Sequence, residues 1–236
     1  MRKSLKSLSL CLALFAGTSA PAFPFRMIQN TGVGRFTRGS LVTCTDSRGF
    51  LHWNARRISW SYNSARQGSG KAAALTNALN AWTNVASADY TLTLAGTTRS
   101  GFATDGINNF VWAKGNGCSG SCLAITALVV RAGQVIIETD VSFNDSKSWG
   151  SGGLTFDTQA VATHEVGHSL GIHHTNLTSF PRPTMYAFYA GSGGRTLESD
   201  DQKALQCSER RYPRPVAIFK DGFEGGSTAA WSLRAP

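Results

Sequence analysis

The sequence predicts one α+β domain with a mixed sheet, and three observations carry that expectation. Short segments with the two-residue alternation of strands flank a stretch with the 3.6-residue stripe of a helix. Two β-rich runs follow, joined by a tight turn. A polar helix bearing paired histidines comes after them, which completes strands, crossover helix, hairpin and site helix in that order.

Taken along the chain, residues 1–22 read as an export signal. Arg2, Lys3 and Lys6 form a basic start, residues 8–17 an apolar run too short to span a bilayer, and Ala20-Pro21-Ala22 a cleavage site. The mature chain is expected to start at Phe23. Cys11 sits in the apolar run, but Ser9-Leu10 before it are not the small residues that precede a lipid-modified cysteine. No other apolar stretch is long enough for a membrane helix, so no membrane association is expected after signal removal, and the protein is expected outside the cell, with the periplasm as a stage in transit. Residues 23–56, rich in Gly, Thr and Arg and weakly periodic, read as an extended lead-in or a short prosegment.

The domain proper is expected over residues 57–212, long enough for one sizeable core. Residues 58–62 alternate as a first strand, and 71–87 carry Leu75, Leu79, Trp82 and Val85 on one helical stripe. Residues 90–94 and 109–113 read as the second and third strands. After a Gly/Cys loop, residues 123–130 and 135–143 make two β-rich runs with a turn at Ala132-Gly133. The histidine helix is placed at 157–170 and a last helix at 199–208. Residues 213–236 read as a flexible tail with no assigned chemistry.

The informative stretch is His164-Glu165-Val166-Gly167-His168-Ser169-Leu170-Gly171-Ile172-His173-His174. Residues four apart on a helix share a face, so His164 and His168 can offer two imidazoles to one metal ion. A helix cannot deliver a third from the right direction. Gly171, free of Cβ, permits the sharp turn that returns His174. Three nitrogens and an open fourth position are the composition of a catalytic rather than a structural zinc site. Glu165 sits beside the metal as a general base without ligating it. His173, adjacent to His174, is expected to point elsewhere, with ligation by His173 in place of His174, through a different turn, as the alternative; His52 has no partner pattern and reads as structural.

The long motif resembles that of the metzincin metallopeptidases. Pro183-Thr184-Met185-Tyr186 is similar to their Met-turn, which sets a methionine under the zinc; a gap-filling core methionine is the alternative reading of Met185. Thr175 after the third histidine, and residues 197–206 (LESDDQKALQ), which resemble the start of the matrixin C-terminal helix, favour the matrixin branch. The resemblance implies a mixed, mostly parallel twisted sheet, a zinc-site helix and a C-terminal helix. It also implies a zinc-dependent endopeptidase acting on protein or peptide substrates. An antiparallel edge strand above the cleft, with Leu123, Ala124 and Ile125, would take an extended peptide as an added strand. Tyr189, four residues after Met185, matches a residue lining the S1′ pocket. A second, structural zinc is not expected, since no histidine lies between His52 and His164. The family's calcium turn is degraded here: Phe143-Asn144-Asp145-Ser146-Lys147 has few acids and a lysine where a carboxylate belongs, leaving Asp140 and Asp145 as the residues that could take part.

Cleavage of the signal leaves Cys44, Cys118, Cys122 and Cys207. Cys118 and Cys122 flank Ser-Gly-Ser and are expected to close a small loop, which leaves Cys44 for Cys207; a four-cysteine zinc site, or Cys44 masking the catalytic zinc, are the alternatives. Without residues 1–22 the chain keeps twenty basic and fourteen acidic residues, a net of +6, scattered and without aromatic interleaving. Nucleic acid is therefore not an expected partner, and a monomer is expected. The alternative to a peptidase is a non-catalytic zinc-bearing peptide- or surface-binding protein, against which Glu165 speaks, because a binder needs no base.

Overall fold

The computed structural model describes residues 25–213 except 31, 38, 176, 179 and 180. The segment expected as an export signal and nearly all of the expected tail lie outside the described residues. In chain order the elements are β1 (Arg26–Gln29), β2 (Gly34–Phe36), β3 (Ser40–Val42), β4 (Arg57–Asn63), α1 (Ala72–Thr83), β5 (Thr91–Thr98), β6 (Asn109–Ala113), β7 (Ala124–Arg131) and β8 (Val135–Asn144). The short β9 (Trp149–Gly150) and β10 (Phe156–Asp157), α2 (Thr158–Ser169), β11 (Ile172–His173) and α3 (Ser199–Arg211) follow.

Six strands form the main sheet in the order β2-β7-β8-β6-β4-β5. β8, β6, β4 and β5 are parallel to one another, while β7 is antiparallel to β8 and β2 antiparallel to β7. This is the expected mixed, mostly parallel sheet, and with its helices the fold is α+β. The parallel pair β4 and β5 needs a crossover, which α1 supplies. Within β4, Ile58 and Trp60 are buried while Arg57 and Ser59 face solvent, the alternation that marked it in the sequence. β6 and most of β8 are buried on both faces.

α1 buries Leu75, Ala78, Leu79 and Trp82, one stripe of its surface. Each large side chain there contributes about 1.5–3 kcal/mol of apolar burial. The Trp82 indole N–H also donates to the Thr163 carbonyl at 2.8 Å, fixing α1 against α2. The helix stops at Thr83, short of the expected 87; Ser87 adopts a φ of 64°, which a right-handed helix does not accommodate. The β7–β8 turn is built on Gly133 and Gln134, both with positive φ.

The segment expected as an extended lead-in supplies three strands. β1 lies between β3 and β11 in a separate three-stranded sheet, and β2 joins the main sheet beside β7. Phe25, Met27, Phe50 and Leu51 are buried in the core. A disulfide joins Cys44 to Cys207 in α3, with Cα atoms 5.9 Å apart, and a second closes the Cys118–Cys122 loop. Strands of three or four residues are too short to show a period, and so the sequence hid them.

Candidate metal centre

α2 starts where the Asp157 carboxylate accepts the Ala160 N–H at 2.9 Å, an N-cap of the usual kind. The other carboxylate oxygen takes Arg195 Nε at 2.8 Å. The helix is buried almost all round, which its small residues allow. A Cβ on Gly167 would lie 2.3 Å from Met185 Sδ and 2.7 Å from Trp82, so glycine is what lets the methionine pack beneath the histidines. At the far end, Gly171 has a φ of 85°, and a Cβ there would stand 2.3 Å from the Leu51 carbonyl oxygen. The turn is held from the N-terminal segment: Ile28 N–H donates to Gly171 O at 2.8 Å, Trp53 Nε1 to Ser169 O at 2.8 Å, and β1 pairs with β11. This brings His174 back.

The three imidazoles converge. His174 Nε2 is 3.2 Å from His164 Nε2 and 3.1 Å from His168 Nε2. Nδ1 of His164 lies 2.7 Å from the Thr184 carbonyl and Nδ1 of His168 2.8 Å from the Ile172 carbonyl, so each must carry its proton on Nδ1, leaving Nε2 a bare lone pair. Bare lone pairs at that spacing repel one another unless a cation sits among them. Nitrogens bound at about 2.0–2.1 Å to a tetrahedral zinc ion stand roughly 3.3 Å apart, so the donor set fits zinc. Burial holds His168 well below the ordinary histidine range and pushes His174 down to about 3, helped in both by the neighbouring histidines, so both stay neutral and available for a metal. His173 is outside the cluster; its Nδ1 accepts the His174 N–H at 2.7 Å.

Met185 is buried, and its backbone is organised by α3. The Asp201 carboxylate accepts the N–H groups of Thr184, Met185 and Glu198 at 2.8–2.9 Å. Because Thr184 O in turn receives His164, α3 reaches the metal centre through this loop. Glu165 is buried against β7, where the Thr126 hydroxyl donates to its carboxylate at 2.5 Å. Burial pushes the Glu165 carboxyl up, opposed by the neighbouring His164 and by the Thr126 hydrogen bond.

β7 lies beside α2, but it is the outermost strand only in part. β2 pairs with Leu128, Val129 and Val130, and residues 124–127 continue beyond that ladder. Leu123, Ala124 and Ile125 are half-buried there. Tyr189 stands at the start of α2, its hydroxyl accepting the Asp157 N–H at 2.9 Å and its ring 5.3 Å from Phe156. With Leu154 and Phe156 it lines a cavity of about 320 Å³, about two helical turns from His164. His52 is buried and stacked on Tyr212 at 3.5 Å, a packing role.

The carboxylates that could take part in a calcium site, Asp140 and Asp145, are each paired with an arginine. Arg35 reaches Asp140 at 2.9 Å and Glu138 at 3.5 Å, while Arg66 holds Asp145 at 2.8 Å. The N–H groups of Ala103 and Gly106 also bond Asp140 and Glu138. Asp140 and Asp145 thus each give one oxygen to an arginine, while Asp140 Oδ1 has no hydrogen-bond partner among the described residues. Cys44 is bonded to Cys207, so its sulfur is not a zinc mask.

Sequence reasoning missed Thr126, Gly167 and Asp201. The only signal for Thr126 was a lone hydroxyl in the apolar run Leu123-Ala124-Ile125-Thr126-Ala127-Leu128; Gly167 and Asp201 act through contacts remote in sequence.

A protein-family model described as Matrixin matches residues 52–208. Among similar proteins, Karilysin of Tannerella forsythia is 41% identical over 104 residues, 40% of this chain and 21% of that protein. Matrilysin of Felis catus is 45% identical over 61 residues, 25% of this chain and 21% of that protein. Matrix metalloproteinase-25 of Homo sapiens is 38% identical over 89 residues, 35% of this chain and 15% of that protein. The chain spans about one fifth or less of the length of these curated relatives.

Proposed function

This chain belongs to the matrixin family, and from that premise we propose that it is an exported zinc-dependent endopeptidase in which Glu165 is the general base. The observation that carries the reading is the convergence of three Nε2 lone pairs beside a buried carboxylate. A zinc ion held by His164, His168 and His174 would lower the pKa of water and polarise a carbonyl oxygen placed against it.

The rest falls to the chain's own residues. An extended peptide lies along residues 124–127 of β7 as an added strand, its backbone hydrogen-bonded to the strand edge and its scissile carbonyl brought to the histidines. Glu165 removes a proton from the attacking water as its oxygen bonds the carbonyl carbon. As the C–N bond breaks, the same carboxyl gives that proton to the leaving nitrogen, so the base returns to its starting state. Leu123, Ala124 and Ile125 form the alignment surface, and the cavity beside Tyr189 accepts a substrate side chain. The Cys44–Cys207 and Cys118–Cys122 bridges accord with export to an oxidising compartment; no helix among the described residues is long and apolar enough to cross a membrane.

The test is cleavage of denatured casein by purified, oxidised protein lacking residues 1–22, alone, with a zinc chelator, and as Glu165→Ala. Activity lost on chelation and in the variant, while the variant still binds zinc, is the expected result. A folded, zinc-loaded wild type that cuts nothing would instead leave a zinc-bearing peptide-binding protein.

A further inference from the structure

We propose that Thr126 is the positioning residue for the base, so that the strand which aligns the peptide also sets the orientation of Glu165. The inference rests on the peptidase reading given above.

Thr126 lies on β7 opposite Val141, and its side chain faces α2. It is buried, 7% exposed, in an otherwise apolar run. A buried hydroxyl needs a partner, and this one has two oxygens of a single residue within reach: Glu165 Oε2 at 2.5 Å and the Glu165 carbonyl at 3.2 Å. The hydroxyl has one proton to give. The shorter contact, to the charged acceptor, claims it. Oε2 is thereby fixed toward β7, and Oε1, which bonds no protein group among the described residues, is left for the water. No other side chain among the described residues hydrogen-bonds this carboxylate, so without Thr126 its side-chain torsions are set by packing alone.

The consequence is geometric. Residues 124–127 are the portion of β7 beyond the β2 ladder, and Thr126 sits within it. The backbone that would carry the scissile bond's alignment and the hydroxyl that aims the base belong to the same few residues. A shift of the strand moves both together, so their separation is preserved when the edge flexes. A base out of line by an ångström loses much of its effect, which gives the hydroxyl a role apart from stability.

The experiment compares wild type, Thr126→Val and Thr126→Ser, each zinc-loaded, by steady-state cleavage of a fluorogenic peptide, zinc content and thermal midpoint. Valine keeps the shape and removes the hydroxyl; serine keeps the hydroxyl and removes the methyl. We expect Thr126→Val to lose about 10-fold or more in kcat, part of the 10²–10⁴-fold a general base supplies, with KM and zinc content within twofold. Thr126→Ser is expected to recover kcat to within about threefold. A valine variant with kcat within twofold of wild type, a loss expressed in KM, or equal losses in both variants would overturn the proposal. A wild type without chelator-sensitive cleavage would instead refute the peptidase reading. Crystal structures of the two zinc-loaded variants decide the positioning claim independently of activity: an unmoved Glu165 carboxylate in Thr126→Val refutes it.

Discussion

Gly171→Ala probes the turn on which the third histidine depends. Two costs are read from the structure. At a φ of 85° an alanine pays about 1–2 kcal/mol for the left-handed conformation. Its Cβ would also stand 2.3 Å from the Leu51 carbonyl oxygen, and that backbone is pinned, since Leu51 N–H bonds Ile28 O while Ile28 N–H bonds Gly171 O. Forcing that backbone segment aside is an overpacking of about 1–3 kcal/mol. Together they come to about 3 kcal/mol, and a domain of this size loses roughly 2–4 °C of melting temperature per kcal/mol, so the expected fall is roughly 6–12 °C. Gly153→Ala is the control, because Gly153 has a φ of 70° with nothing within 4 Å of a built Cβ and isolates the conformational cost. Both variants would be melted with chelator present, then titrated with zinc against a competing dye. Gly171→Ala should also bind zinc more weakly, because relief of the clash displaces β11 and with it His174. A variant that melts within about 2 °C of wild type, or no lower than Gly153→Ala, would refute the reasoning about the pinned carbonyl.

Other outcomes follow from the same geometry. Asp201→Ala strips the partners from three N–H groups, and at about 1–3 kcal/mol for each one left unsatisfied it should destabilise by at least 3 kcal/mol; urea unfolding measures this, with less than 1 kcal/mol contradicting it. Arg35→Met leaves Glu138 and Asp140 buried without their cation, an expected loss of about 3–5 kcal/mol, which adding Asp140→Asn should partly restore in a double-mutant cycle. In the zinc-free protein, His168 and His174 stay neutral when folded but take protons below about pH 6.5 when unfolded, so the unfolded state binds more protons as pH falls. Stability should therefore be level above pH 7 from this source and decline from about 6.5 toward 3. Urea unfolding across that range should give a shallower slope for His174→Gln, and an equal slope would count against the assignment.

The clustering of the three histidines was legible because local rules governed it: His164 and His168 share a helix face, and Gly171 announces the turn. The parallel core was legible for a similar reason, since β4, β6 and β8 each run long enough for burial to show as pattern. Phe25, Met27 and Ile28 were not, because a four-residue strand among glycines and arginines carries no period, and its partner β11 lies far along the chain. Gly167 reads as an ordinary helix glycine until Met185 is seen against it. The charge partners were opaque too: Arg35 meets Glu138 and Asp140 only because β2 lies along β7, a pairing between segments far apart in sequence.

The bond between Cys44 and Cys207, 163 residues apart, has a consequence for the order in which this molecule can come into being. A chain emerging from the ribosome carries all three histidines once residue 174 is made, but neither Met185 nor the Asp201 that organises its loop, nor the sulfur that ties α3 to the first strands. Contacts of such long sequence separation form late. The histidine cluster therefore gains its support only after residue 201 has been made: a nascent chain can spell out its three imidazoles well before it owns the floor on which they stand.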